Sequence, residues 1–509
     1  MFISGGSKMV RFLAVLFLIQ IITFADDRPN ILFCISDDQS YAHTGANGDP
    51  VIKTPAFDRI AKEGIRFTNS FCDAPTCGPS RSAILTGQHI WRLEEAGNLW
   101  STLPAKFKTY TELLSEAGYF VGSTGKGWAP GDLAAGGRSE QPAGKVYRTE
   151  FYGKRKLKNV PKPLKSFSPI AYGFNFKEFL KKKPKGKPFC FWLGTYEPHR
   201  GYEEGSGKKS GMDPSKVKVP GIFPDNDIVR NDILDYMLEI EHFDNHVNMA
   251  IKQLEEAGEL DNTIVIVTSD HGMPFPRAKA SLYDWGSRVP LAIRWARGIN
   301  SAGRVSHEFV NLSDIAPTLL EAAGVAKPEM MTGKSLLPLF KSSKAKHRDR
   351  AFIAMERHAG CREGGKGYPC RAIRTKDFLY IYNFDSNRWP AGDPNPAFCA
   401  RLIPYGELDN SPTKDFMMAN RDKPDVTKLA NLAFEKRPTE ELYSVSNDPD
   451  QLKNLAASAE YENVRKEMKK QLFDYLKKTK DPRAIGGKIL WDEYPFYRKA
   501  KNNWMEGKE

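Results

Sequence analysis

A chain of 509 residues is too long for one ordinary hydrophobic core, so two domains are expected. With 40% hydrophobic and 11% aromatic residues it is neither disordered nor fibrous. A net charge of +13, with lysine-rich stretches at 154–158 and 181–187, suits either solvated loops or a polyanionic partner, and no nucleic-acid-binding motif accompanies it.

Lys8 and Arg11 precede an apolar run over 12–24, with Ala25 just ahead of Asp26 and Asp27. This reads as a signal peptide over 1–25, because a membrane span needs about 20 apolar residues. Export is expected, to the outside of the cell, the periplasm or a lysosome, without stable membrane insertion. Of the seven cysteines, Cys361 and Cys370 lie close together in a Gly-rich loop and could pair. Cys34 and Cys190 sit inside apolar runs and read as inert core thiols. The odd total leaves at least one thiol with another task.

Residues 29–36 form a nearly continuous apolar run that stops at Asp37-Asp38, the pattern of a strand buried on both faces. The spacing predicts a helix over 54–64, with Phe57, Ile60 and Ala61 on one side, and another over 111–118, capped by Thr and closed by Gly. Buried strands are expected at 187–196 and at 263–269, the latter ending at Asp270-His271, and a further strand at 291–295. Residues 228–256 predict a long amphipathic helix. Strands alternating with helices argue for an α/β domain with a mostly parallel sheet over 26–345. From 346 the texture changes to strands at 351–355 and 378–384 among Gly-, Pro- and Asn-rich loops. A helix whose face carries Tyr461, Val464, Met468, Leu472 and Tyr475 or Leu476 then completes a smaller α+β domain over 346–509.

The densest chemical signal is Cys77-Gly-Pro-Ser-Arg81, followed by Leu85-Thr-Gly87. Proline two residues past the cysteine suits a first helical turn. Cys77 then stands at a helix N-terminus, where free N–H groups and the dipole favour an anion, with Arg81 one turn further on. A thiolate nucleophile is one use of that position. Asp37-Asp38 and Asp270-His271 each follow a buried strand, and open α/β sheets gather their ligand sites at strand carboxyl ends. Either pair alone is what a turn or helix cap leaves behind. Brought together, the carboxylates would need a cation, and hard oxygen donors favour Ca²⁺ or Mg²⁺. His271 suits a hard ion least.

The cysteine motif resembles the signature of the type I sulfatases, and the resemblance runs over 28–455. It implies an alkaline-phosphatase-like α/β sandwich. It also implies that Cys77 is oxidised by a formylglycine-generating or other sulfatase-maturing enzyme to formylglycine, whose hydrate attacks sulfur while Arg81 steadies it. Asp37, Asp38, Asp270 and His271 would bind Ca²⁺, or Mg²⁺, beside residue 77. Gly125-Lys126 resembles a motif whose lysine contacts sulfate, and Lys279, ahead of Leu282 to Gly286 and Arg288-Val-Pro290, resembles the second lysine. Glu197-Pro-His199 resembles a Pro-His motif, which makes His199 the candidate general acid. Many sulfatases carry His two residues past the first lysine. Here Trp128 stands there, and His43, His89 and Lys126 are candidates to replace that function.

Within the family the chain is most similar to heparan N-sulfatases, in 272–276, 219–225, 356–358 and 368–371. That implies a sugar N-sulfate as first substrate, with a 6-O- or 2-O-sulfate on a glycosaminoglycan or algal polysaccharide next. Arg288, Arg357, His358, Arg371 and Arg374 are candidate contacts for sugar carboxylate or sulfate groups. Two rivals remain: a phosphatase or phosphodiesterase with unmodified Cys77 and a second metal site, and a non-catalytic protein that holds sulfated glycan.

Overall fold

The computed structural model describes Met1 and residues 27–160, 162 and 164–498; the expected signal segment, its first residue aside, lies outside them. At its centre is an eight-stranded sheet of order β4-β3-β5-β1-β6-β7-β2-β8. The strands are β1 (Asn30–Ser36), β2 (Ile65–Phe71), β3 (Phe120–Gly125), β4 (Lys145–Val146), β5 (Phe189–Gly194), β6 (Thr263–Ser269), β7 (Leu291–Arg294) and β8 (Arg304–Asn311). Only β7 runs antiparallel to its neighbours, β6 and β2. Every residue of β1, β5 and β6 is buried, the reason these strands lack the apolar–polar alternation of a half-exposed sheet.

Successive residues of β1 feed opposite layers. Ile31, Phe33 and Ile35 pack with helices α2 (Cys77–Thr86), α3 (Tyr110–Glu116) and Ile315–Ala322. Leu32 and Cys34 pack with α1 (Pro55–Glu63), α4 (Tyr172–Lys182) and the long helix Asp227–Glu256. Helices on both faces of a mostly parallel sheet are the expected architecture. Burial pushes the Cys34 and Cys190 thiols far up, in keeping with inert core residues.

A second, antiparallel sheet of order β12-β11-β10-β9 follows, from β9 (Arg350–Met355), β10 (Cys370–Thr375), β11 (Phe378–Asn383) and β12 (Glu440–Ser444). One face receives Met468, Leu472 and Leu476 of helix Glu462–Lys478 against Phe352, Ile373 and Tyr380. The other packs Ile353, Ala372 and Ile381 against Phe71 and Leu282 of the first unit.

Two local expectations are corrected. Helix α3 begins earlier, because Thr109 and Glu112 form a reciprocal capping box; Thr111 lies inside the helix. The disulfide joins Cys361 to Cys399, not to Cys370. Cys370 opens β10 opposite Met355 and Asn383 and is buried in the core between the two units, out of reach of the loop. The lysine-rich stretch 181–187 precedes β5, at the end of the sheet away from the strand carboxyl ends. No helix among the described residues is long and apolar enough to cross a membrane.

Candidate active site

Strands β1 and β6 lie side by side with Ser36 opposite Ser269, so the residues that follow them, Asp37-Asp38 and Asp270-His271, emerge together. Asp38 takes a left-handed backbone (φ 75°), which aspartate tolerates better than most residues, and its N–H donates to Asp270 Oδ1 at 3.1 Å. Helix α2 meets this edge at its N-terminus. Cys77 is its first residue, and Ser80 Oγ donates to the Asp270 carbonyl at 2.6 Å, tying the helix to the end of β6. Cys77 Sγ lies 3.3 Å from His271 Nε2 and 4.0 Å from Asp38 Oδ1.

Arg81, fully buried, binds the carboxylates rather than Cys77. Its Nε donates to Asp270 Oδ2 at 2.9 Å and one terminal nitrogen to Asp37 Oδ1 at 3.2 Å, while the other reaches the Lys126 and Gly127 carbonyls. Lys126 Nζ pairs with Asp37 Oδ2 at 2.5 Å. Gly125 makes this placement possible: its φ is +70°, and a Cβ there would overlap the Gly194 carbonyl of β5. Lys279 Nζ bridges Asp38 Oδ2 at 2.7 Å and Asp409 Oδ2 at 2.9 Å. His199, just past β5, places Nε2 4.0 Å from Asp38 Oδ2, and its Nδ1 faces the Arg200 carbonyl at 2.7 Å.

Burial opposes charge on all these groups, and their neighbours decide the outcome. Lys126 and Arg81 hold the Asp37 carboxyl well below the usual range, and Lys279 with His271 does the same for Asp38. Asp270 and Asp38 push the His271 imidazole well up. Asp37, Asp38 and Asp270 thus face Arg81, Lys126, Lys279 and His271, and at Asp270 burial prevails and raises the carboxyl despite Arg81.

The ligand atoms of Asp37, Asp38, Cys77 and His271 all lie within 4.8 Å of one another. Two carboxylates, an imidazole and the side chain at position 77 fit a divalent cation. Asp270 borders the same space, its Oδ1 3.9 Å from His271 Nε2, with its oxygens engaged by the Asp38 and His271 N–H groups and Arg81.

Asp37, Cys77, Lys126, His199, Lys279 and His358 line one cavity of about 670 Å³. The other four predicted sugar contacts are elsewhere. Arg288 donates to the Thr68 carbonyl and stacks over Tyr41. Arg371 is locked between Asp481 and Glu356, and Arg374 forks onto Asp284. Arg357 binds the Tyr494 and Pro495 carbonyls. Each found an internal partner that its sequence context did not reveal. Trp128 is also internal, donating to Ser82 Oγ at 2.8 Å. His43 pairs with Asp49, and His89 with Asp73 and Tyr475, leaving Lys126 as the one cavity-lining candidate for the missing histidine. Sequence reading missed Asp409 and Arg401, paired at 3.0 Å in an irregular loop with no periodicity, and Glu239 on the long helix.

A cysteine at a helix N-terminus, carboxylates grouped closely enough for a cation, and two lysines at one cavity suit a hydrolase acting on a tetrahedral oxyanion group. The chain belongs to the sulfatase family, hydrolases of sulfate esters and sulfamides: the family model described as "Sulfatase" matches residues 29–325. A second model, "N-sulphoglucosamine sulphohydrolase, C-terminal", matches 275–394. An ulvan-active sulfatase of Formosa agariphila is 28% identical over 467 residues, covering 89% of this chain and 81% of that protein. The human N-sulphoglucosamine sulphohydrolase is 25% identical over 503 residues, covering 89% and 91%. A solved structure of a protein with its substrate D-glucosamine-2-N,6-O-disulfate superposes with a TM-score of 0.63 at 22% identity, covering 89% of this chain and 98% of that one. The sandwich is thus alkaline-phosphatase-like. Members of the family generally use formylglycine and a divalent metal.

Proposed function

We propose that this protein removes sulfate from a sulfated carbohydrate, with the N-sulfate of a glucosamine unit as first substrate. The observation that carries the reading is the convergence of residue 77, Asp37, Lys126 and Lys279 on one cavity, with Asp38 and His271 grouped beside residue 77 and Asp37. The match of 275–394 to the N-sulphoglucosamine sulphohydrolase C-terminal model supports the N-sulfate over an O-sulfate. With Cys77 matured to formylglycine and Ca²⁺ held by Asp37, Asp38 and His271, the site would gain a hydroxyl nucleophile and a Lewis acid.

The chain's own side chains supply the rest. Lys126 and Lys279 are fixed cations where sulfate charge redistributes, and being already paired they need no reorganisation. His199, partly exposed at the cavity, is placed to protonate the departing nitrogen or oxygen. Arg81 helps to keep Asp37 ionised and holds Asp37 and Asp270 aligned. The N-terminal segment 1–25 would direct export.

The phosphatase rival calls for a second ion. Asp38, His199 and Asp409 could form such a group, but the Lys279 ammonium lies between the two carboxylates and takes that place. This favours one cation and a sulfatase.

Incubating the purified, exported protein with defined saccharides and measuring free sulfate tests the reading. Sulfate should be released from N-sulfoglucosamine units and abolished by C77A, and mass spectrometry of the Cys77 peptide should show an aldehyde oxygen in place of sulfur. An intact thiol with turnover of phosphate esters alone would overturn it.

A further inference from the structure

The arginines expected to read the sugar's own charges are internal, yet three others line the cavity: Arg200, which is forked onto Asp232, and Arg401 and Arg498. Arg401 arrives on the loop anchored by the Cys361–Cys399 disulfide. Arg498 arrives on the segment that follows helix Glu462–Lys478 and runs back to the rim of the first unit. That segment is pinned along its length: Asn98 Nδ2 donates to the Trp491 carbonyl at 2.8 Å, Arg357 to the Tyr494 and Pro495 carbonyls at 2.8 Å, and Tyr497 N–H to the Trp100 carbonyl at 2.8 Å. Arg357 is thus a positioning residue for the arm that carries Arg498.

The charge at this mouth is unbalanced. Asp409 accepts from Arg401 through Oδ1 and from Lys279 through Oδ2, so its single charge already serves two cations before Arg498 is counted. Arg401 uses one terminal nitrogen on Asp409, and the remainder of its guanidinium makes no hydrogen bond among the described residues. Arg498 has no carboxylate partner among them; its guanidinium lies 5.1 Å over the Trp100 ring, half-buried. Burial and the neighbouring Arg401 both work against its charge and outweigh the pull of Asp409. Trp100 itself holds a left-handed backbone (φ 54°), which bulky residues rarely adopt. Lys279, Arg401 and Arg498 share the one carboxylate of Asp409, and this cationic surplus, on a cavity that also presents the half-exposed ring of Tyr196, makes a receptor for an anion carried on a ring-shaped ligand. Glu239, also in the lining, does not oppose it: burial and the nearby Glu197 push it up to about 9, so it is neutral at physiological pH.

We propose that Arg401 and Arg498 form a second anion subsite at the cavity mouth, which selects saccharides bearing a carboxylate or a second sulfate besides the sulfate that is removed. The proposal rests on the sulfatase reading for the orientation of the sugar, but binding alone tests it. Full-length C77A protein loaded with Ca²⁺ is titrated calorimetrically with two matched pairs. One is D-glucosamine 2-N-sulfate against the 2-N,6-O-disulfate; the other is a uronate–glucosamine N-sulfate disaccharide against its carboxyl-reduced form. In at least one pair the member with the extra charge should bind roughly 10- to 100-fold more tightly, the worth of a charged hydrogen bond. R498Q and R401Q should each bring that ratio to near one. The first pair reports a sulfate and the second a carboxylate. R498Q removes no protein–protein hydrogen bond among the described residues and so keeps the test sound should R401Q disturb its loop. Equal affinities within both pairs, no binding of any of the four sugars, or a preference that survives both substitutions would overturn the subsite. Sulfate release by the unsubstituted protein reports separately: turnover without charge preference sinks the subsite alone, and charge preference without turnover sinks the catalytic reading alone.

Discussion

The guanidinium of Arg81 serves two carboxylates and two carbonyls with no exposure to solvent. A planar fork of donors can do this where an ammonium cannot. Replacing it by methionine leaves Asp37 and Asp270 buried with half their compensation gone. Urea unfolding of R81M should show a loss of about 3–5 kcal/mol, the usual cost of breaking a buried ion pair, and R81K should recover only part of it. A loss under about 1 kcal/mol would mean that the carboxylates find other partners. Residue identity alone showed that Arg81 belongs to the site, because it sits in a dense motif. It did not separate Arg371 or Arg374 from true cavity arginines. A buried ion pair and a ligand contact use the same residue type, and the partners Asp481 and Asp284 are 110 and 90 residues away.

Elements join through similar pairs. Asp314, at the start of helix Ile315–Ala322, accepts from the Lys334 and Asn311 N–H groups, from Arg348 at 2.7 Å and from His347 at 3.0 Å, binding the helix to the segment that leads into β9. Burial opposes its ionisation, but Arg348 and His347 outweigh it and hold its carboxyl down at about 2. A carboxyl with a lowered folded-state value stabilises the fold above the unfolded value and loses that contribution as pH falls through the folded one. D314N should therefore cost about 2 kcal/mol at neutral pH, and the gap to the parent protein should close between about pH 4 and pH 2. Denaturant unfolding across that range checks it; a gap independent of pH would contradict it. At this scale the sequence was most readable where burial is complete. β1, β5, β6 and helix Asp227–Glu256 were found to within a few residues, because continuous apolar runs and a sustained helical period leave little choice. β2 and β8 were missed, since their mixed polar and apolar residues look like loop until a partner strand is known.

For the whole molecule, the cavity belongs to both units. The first sheet delivers Asp37, Lys126 and His199 from the carboxyl ends of β1, β3 and β5, while His358, Arg401, Asp409 and Arg498 come from chain beyond residue 346. The half built on strand ends was legible, because ligand sites follow strand carboxyl ends in such sheets. The half built on loops was not, because a loop's direction is set by tethers such as the Cys361–Cys399 bond and by contacts hundreds of residues apart. The central claim is that a matured residue 77 and one divalent cation share the floor of this cavity. A crystal structure of the exported protein grown with Ca²⁺ and soaked in inorganic sulfate measures it directly. The account predicts an oxygen rather than a sulfur on the residue-77 side chain, one ion among Asp37, Asp38 and His271, and sulfate held between Lys126 and Lys279. An unmodified thiol, with Lys279 displaced by a second ion between Asp38 and Asp409, would contradict it.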